Sequence, residues 1–189
     1  MFDIPLQVWS LMRDFKPNWF IAAGWAIDLY LGKVTRHHED IEIAIFRQDQ
    51  IALQNYLDVW ILKKAVNGKL LVWNKGERLE SSIFEIHCFR ETSKPQSLEV
   101  LLNETDGDRW LFRRNNKVTK PLSKLSLTSN LGMKFLRPEV VLLYKSKNPR
   151  LKDEQDFEAV AECLDVENKE WLKNALTICY SEHHWLQRL

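Results

Sequence analysis

Apolar residues near the start of the chain recur at helical spacing. Leu6, Trp9, Leu11 and Met12 form one stripe through about Phe15, with Asp3 and Pro5 as start signals and Pro17-Asn18 as the break. Trp19–Ala22 is short and apolar, as a buried strand is. Gly24 then opens a second helix, Trp25–Leu31, which Gly32 stops. A polar loop, Lys33–Glu39, leads into a strand over Asp40–Phe46, and Gln48–Leu57 reads as a helix. From there the period falls to two: Val59–Ala65, Leu70–Trp73, Ile83–Phe89, Leu98–Leu102 and Trp110–Arg113 are predicted strands. Thr105-Asp106-Gly107-Asp108 supplies a hairpin turn between the last two. Lys120–Arg137 is mixed, with extended pieces at Leu125–Thr128 and Met133–Leu136. Pro138-Glu139 opens a helix to Lys147, since proline suits the first helical position. Two more helices are predicted near Asp153–Leu164 and Glu167–Tyr180.

This order predicts an α+β fold: a mixed sheet flanked by helices over residues 1–137, and a helical segment, 138–189, packed on that core as part of one unit. At 189 residues the chain can bury one good core. Its 45% hydrophobic and 28% charged residues are ordinary for a globular protein. A net charge of +1 lacks the basic footprint of a nucleic-acid binder. No apolar run approaches the roughly 20 residues of a membrane helix. Met1–Phe15 lacks the marks of a signal peptide, and the three cysteines form no CxxC pair, so a reducing cytoplasm is the expected setting. Eight tryptophans serve packing first, though several could line a pocket for a flat ligand.

The most informative stretch is Asp40-Ile41-Glu42-Ile43-Ala44-Ile45. On a strand, residues two apart share a face, so Asp40 and Glu42 point one way and the isoleucines the other. Neighbouring carboxylates repel unless a cation or a proton compensates, and hard oxygen ligands suit Mg²⁺. Alternation alone equally describes the solvated face of an edge strand, and favours it. The upstream context changes the balance. A strand ending in small residues, a glycine, a helix start whose N–H groups suit a phosphate, and then an acidic strand form a nucleotide-handling arrangement.

Ile21-Ala22-Ala23-Gly24-Trp25-Ala26-Ile27-Asp28, then Leu31-Gly32, then Thr35-Arg36-His37-His38-Glu39-Asp40-Ile41-Glu42 resembles the GGWAID…LG…TRxHxDIDI signature of the aminoglycoside nucleotidyltransferase-like family. Pro138–Lys145 and Arg150–Asp156 resemble a second, helical segment of that family, while residues 47–97 match only loosely. The resemblance implies a polymerase-beta-like minimal nucleotidyltransferase fold. It also implies Mg²⁺-dependent transfer of a nucleoside monophosphate from an NTP, usually ATP, to a hydroxyl of a small molecule such as an aminoglycoside-like antibiotic. Asp40 and Glu42 would be the first metal ligands, for two Mg²⁺ ions, and Gly24 the phosphate-loop glycine. Two positions depart from the pattern: Ala23 replaces the first glycine of the pair, and Glu42 a commoner Asp.

A third carboxylate is expected on a neighbouring strand as general base and metal ligand. Glu99 interrupts the apolar Leu98–Leu102; Glu85 shares a strand face with His87. The family's apolar-acidic-apolar third motif favours Glu99 over Glu85, with a solvent-facing role open for either. The resemblance places Arg36 and His38 near the site, Arg36 as a phosphate partner and His38 orienting a ligand carboxylate or contacting substrate, with a solvated surface role equally open for both loop residues. Lys145 is expected to offer a point cation to the triphosphate. Asp153 and Asp156 read as a helix cap and as first-turn dipole balance. Trp25 could stack on a base, with core packing the safer reading. Arg113-Arg114, Lys117 and Lys120 read first as a solvated strand end, with contact to nucleotide or an acidic partner the alternative, and His183-His184 as surface residues. Nucleotide and a hydroxylated acceptor are the expected partners, without membrane or nucleic acid, and a homodimer would help complete the acceptor pocket. The competing function is a non-catalytic nucleotide-binding or antitoxin-like protein on the same fold.

Overall fold

The computed structural model describes all 189 residues. In chain order the elements are α1 (Asp3–Leu11), β1 (Trp19–Ile21), α2 (Ala23–Leu31), β2 (Glu42–Phe46), α3 (Gln50–Tyr56), β3 (Ile61–Val66), β4 (Lys69–Val72), β5 (Glu85–Phe89), β6 (Ser97–Asp106), β7 (Arg109–Leu111), β8 (Thr119–Pro121), β9 (Ser126–Thr128), β10 (Lys134–Leu136), α4 (Pro138–Lys145), α5 (Leu151–Ala161) and α6 (Val166–Cys179). The fold is α+β, as the alternation of periods predicts. No helix is long and apolar enough to cross a membrane.

One mixed sheet runs in the order β4-β3-β5-β6-β2-β1-β10-β9, and the long β6 continues into a ribbon with β7 and β8. The pair β2–β6 is parallel and sets Glu42 opposite Glu99; β5 and β6 are antiparallel and set His87 opposite Glu99. Because directly paired residues share a sheet face, register alone gathers these side chains. The buried alternates Ile43, Ile45, Val100, Leu102, Ile86 and Cys88 fill the other face. A single core of 45 buried residues includes Val140, Leu142, Phe157 and Trp185, so the C-terminal helices share it. The helix α4 packs on α2 and α6.

Several boundaries differ from the sequence pattern. The first helix stops at Leu11, where Met12 is the cap. Asp40 lies just before β2 rather than on it. The sixth strand runs on to Asp106 because its polar Asn103 is buried and bonded to Trp110 Nε1–H at 2.9 Å. The short β8 carries Lys120, which is buried rather than solvated. Its Nζ donates to Asn168 Oδ1 at 3.1 Å, sits 2.8 Å from the buried Glu139, and lies over the Trp171 ring. Burial of the charge is tolerated because it is paired, and the pair ties the strand ribbon to α4 and α6.

Candidate active site

Asp40, Glu42 and Glu99 each bring a carboxylate oxygen into one group, all within 4.8 Å of one another. Three elements cause this: the loop after α2 delivers Asp40, β2 delivers Glu42, and β6 delivers Glu99 by direct register. Hydrogen bonds hold the loop. Thr35 donates to Asp28 Oδ1 from its backbone N–H at 3.1 Å and its hydroxyl at 2.5 Å, and His38 Nε2 lies 2.6 Å from Asp28 Oδ2. The Trp25 indole N–H donates to the backbone oxygen of Asp40 at 3.1 Å. Crowding has an electrostatic cost. Burial, then the Asp40 and Glu99 carboxylates, push the Glu42 carboxyl up to about 8, against the pull of Lys145 and Lys152. Burial also raises Glu99; His87 opposes this, and Asp40 and Glu85 add to it.

Glu85 belongs to a second group. Its Oε1 lies 2.6 Å from His87 Nε2, while His87 Nδ1 lies 3.3 Å from Glu99. Glu99 is therefore the third member of the Asp40–Glu42 group, and Glu85 acts on the far side of the histidine.

Beside Glu42 and Glu85 opens a cavity of about 370 Å³. Ala22 and Ala23 line it at the start of α2, and Arg113, Arg114, Lys145, Lys147 and Arg150 give it basic walls. Phe84 and Tyr144 add aromatic surface, and the Arg113 guanidinium lies 3.3 Å from the Phe84 ring centroid. A basic, partly aromatic cavity with a helix start in its wall, adjoining clustered carboxylates, is arranged to hold a polyphosphate next to a cation.

The profile of the aminoglycoside-2''-adenylyltransferases matches residues 5–124, which include the Gly24 turn, Asp40, Glu42 and Glu99. The chain belongs to this family. It is a nucleotidyltransferase, and the non-catalytic alternative is set aside with that membership. A comparison with curated proteins finds no match. Among solved structures, ANT(2'')-Ia in complex with adenylyl-2''-tobramycin is similar at a TM-score of 0.62 and 14% identity, over 93% of this chain and 95% of that one. The lincomycin-bound lincosamide antibiotic adenylyltransferase LnuA is similar at 0.58 and 17%, over 87% and 98%. An antigenic nucleotidyltransferase-like protein from Paracoccidioides brasiliensis is similar at 0.51 and 14%, over 97% and 88%. Identities this low carry the shared fold and nothing finer.

Within the family frame, several residues sit elsewhere than their motif suggests. Gly24 is buried inside α2, and a Cβ there would meet Arg36 Nη2 and His38 Cε1 at 2.5 Å. Its smallness makes room for those two side chains, while Ala22 and Ala23 take the place on the cavity wall. Ala23 has φ +49°, the left-handed region that glycine would occupy without strain. Trp25 is buried against Phe2 and His38, so it is a packing residue and not a stacking platform. His38 is buried, with Nε2 engaged by Asp28. Arg36 is held by Asp156 through two bonds of 3.0 Å, Nε to Oδ1 and Nη2 to Oδ2, and is not free for a phosphate. Lys145 does line the cavity, but its Nζ is shared by Asp153 at 2.6 Å and Asp156 at 2.9 Å. Asp156 is thus the junction of two cations rather than dipole balance. Asp153 is the third helical residue of a capping box, accepting from the Arg150 backbone N–H at 3.0 Å, with Arg150 at the cap position.

Arg113 and Arg114 leave the solvated strand end and enter the cavity wall; Arg114 donates to the Tyr144 backbone oxygen at 2.7 Å. His183 is half-buried with Nε2 2.9 Å from Ser146 O, while His184 stays exposed beside Glu154. Asp28 and His87 escaped sequence reasoning. Asp28 sits in the GWAID motif, where a lone acid on an apolar helix signalled a buried partner. The importance of His87 depends on register across β5 and β6, which no local pattern carries.

Proposed function

We propose that the protein transfers a nucleoside monophosphate from an NTP, with ATP the first candidate, to a hydroxyl of a small molecule in an Mg²⁺-dependent reaction. The observation that carries this is the union of Asp40, Glu42 and Glu99 with the basic cavity at the start of α2. The residues fit a divalent cation. They form an all-oxygen set, and three carboxylate oxygens within 4.8 Å of one another carry mutual repulsion that a cation would balance. Asp40, Glu42 and Glu99 would hold it. When bound, Mg²⁺ would neutralise charge on the triphosphate and stabilise the attacking and leaving oxygens.

The chain's own residues then divide the work. Arg113, Arg114, Lys147 and Arg150 bind the phosphates, and the free N–H groups at the start of α2 add donors. Phe84 and Tyr144 offer ring surface to the nucleoside. Glu99 stands where it can accept the proton of the acceptor hydroxyl, whose oxygen forms the new bond to the α-phosphorus while the bond to the pyrophosphate oxygen breaks. Pyrophosphate leaves along the basic wall. Positioning and charge compensation supply most of the rate gain. Antibiotic hydroxyls are the natural first acceptors, given a relative bound to adenylyl-2''-tobramycin and another to lincomycin. The test is pyrophosphate release with ATP, Mg²⁺ and a panel of hydroxylated antibiotics. Asp40→Asn and Glu99→Gln should each lower kcat by at least about 100-fold; activity surviving both substitutions would sink this reading.

A further inference from the structure

The sheet face that carries Glu42 and Glu99 does not stop there. Register continues the row through His87 on β5, Lys63 on β3 and Val72 on β4. The parallel row beyond Ser97 adds Phe89 and Ile61. Two contacts agree with a shared face: the His87 and Phe89 rings stack, and Lys63 Nζ lies 5.6 Å from the Phe89 ring centroid. This part of the face is bare. Ile61 is 54% exposed, Val72 63% and Leu70 41%. A contiguous apolar surface left open beside a reaction centre needs an occupant.

We propose that the open face of β3, β4 and β5 beside Glu99 is the acceptor platform, and that it takes a hydroxylated molecule with an apolar side and few amines. This rests on the reading of Asp40, Glu42 and Glu99 as the reaction centre. Position supports the platform, because the row runs from Glu99 outward through His87, Lys63 and Val72, none of which lines the basic cavity. A hydroxyl presented from the platform therefore reaches Glu99 without entering the space left for the phosphates. Charge supports the class of molecule. A polyamine needs carboxylates free of other duties, and the nearby ones are taken: Asp40, Glu42 and Glu99 by their own cluster, and Glu85 by His87. The charge that the platform does present is Lys63, which has no carboxylate partner. An ammonium-rich acceptor would meet repulsion there, while an alkyl or ring surface would cover Phe89, Ile61 and Val72.

The experiment uses the full chain, ATP and Mg²⁺, with lincomycin as the apolar, amine-poor probe and tobramycin as the polyamine probe, read by pyrophosphate release. Lincomycin is expected to be accepted with a kcat/KM at least about tenfold above tobramycin. Val72→Asp, at an exposed position that should fold normally, is expected to raise the lincomycin KM about tenfold and leave the ATP KM unchanged. Lys63→Glu is expected to narrow the gap between the two probes. Preference for tobramycin, acceptance of neither probe, or an unchanged lincomycin KM in Val72→Asp would overturn the platform. So would sedimentation showing a dimer that Val72→Asp dissolves, since a second copy would then cover this face. Binding of Mg²⁺–ATP, and its loss in Asp40→Asn, is measured separately; its absence in the unmodified protein would strike at the reaction centre itself.

Discussion

Two adjacent small residues, Ala23 and Gly24, have opposite constraints. Ala23 holds φ +49°, where a Cβ costs on the order of 1 kcal/mol. Ala23→Gly should therefore raise stability by up to about 1 kcal/mol, less the backbone entropy of the new glycine, measured by urea unfolding. Gly24→Ala should lower it by about 1–3 kcal/mol, because the added methyl meets a buried imidazole and a tethered guanidinium at 2.5 Å. The same urea series checks it, and an unchanged midpoint would show that His38 can move aside. Asp153 is a third residue-scale case. Burial would raise its carboxyl, but bonds from the Arg150 side chain, Lys145 and the Arg150 backbone outweigh that and hold it at about 2, below the ordinary 3.8. The folded state therefore binds this proton less readily than the unfolded chain. The stabilisation, of order 2 kcal/mol, is complete above about pH 4 and disappears as pH falls through about 2. Asp153→Asn should flatten that part of the acid-unfolding profile.

At the scale of elements, an ion network fastens the loop before Asp40 to the C-terminal helices. Arg36 in the loop and Lys145 on α4 both meet Asp156 on α5, and Lys145 also meets Asp153. Asp156 is almost fully buried, so its removal leaves two poorly solvated cations. Asp156→Ala should destabilise the protein by about 3 kcal/mol or more in thermal or urea unfolding. Activity should fall as well, because the freed loop carries Asp40, a member of the carboxylate cluster. A loss no greater than that of an exposed ion pair would mean the network is ornamental. The sequence showed Arg36 and Asp156 as 120 residues apart and each locally sensible, one as a phosphate ligand and one as helix dipole balance. Their pairing depends on α5 packing beside α2, a relation that no local spacing expresses.

At the scale of the whole molecule, the proposed cation site would link the stability of the fold to its ligand. Without a cation, the raised Glu42 carboxyl keeps a proton that the unfolded chain releases above about 4.5. This group therefore makes the fold lose stability as pH rises from about 4.5 to about 8, and under the proposed function a divalent cation would take over the proton's role above that range. Mg²⁺ or Mn²⁺ should raise Tm, more at pH 8 than at pH 6, and Asp40→Asn should abolish the shift. A Tm shift independent of pH or of Asp40 would place the cation elsewhere.

Periodicity and punctuation were enough to mark most helices and strands, because local propensity and the buried stripe agree in this chain. The motif from Ile21 to Glu42 also identified two of the three clustered carboxylates, since they lie within one loop and strand. Tertiary structure alone decided the rest. The third-motif resemblance only favoured Glu99 over Glu85; parallel pairing of β2 with β6 then sets Glu99 opposite Glu42, while Glu85 lies against His87. The fates of Arg36, His38 and Lys145 were likewise tertiary, while the packing of Trp25 agrees with its safer sequence reading. Each has the side chain of a ligand-binding residue, and each is occupied by a partner that packing supplies. A sequence states which groups are available for chemistry; only the folded arrangement shows which of them remain free to perform it.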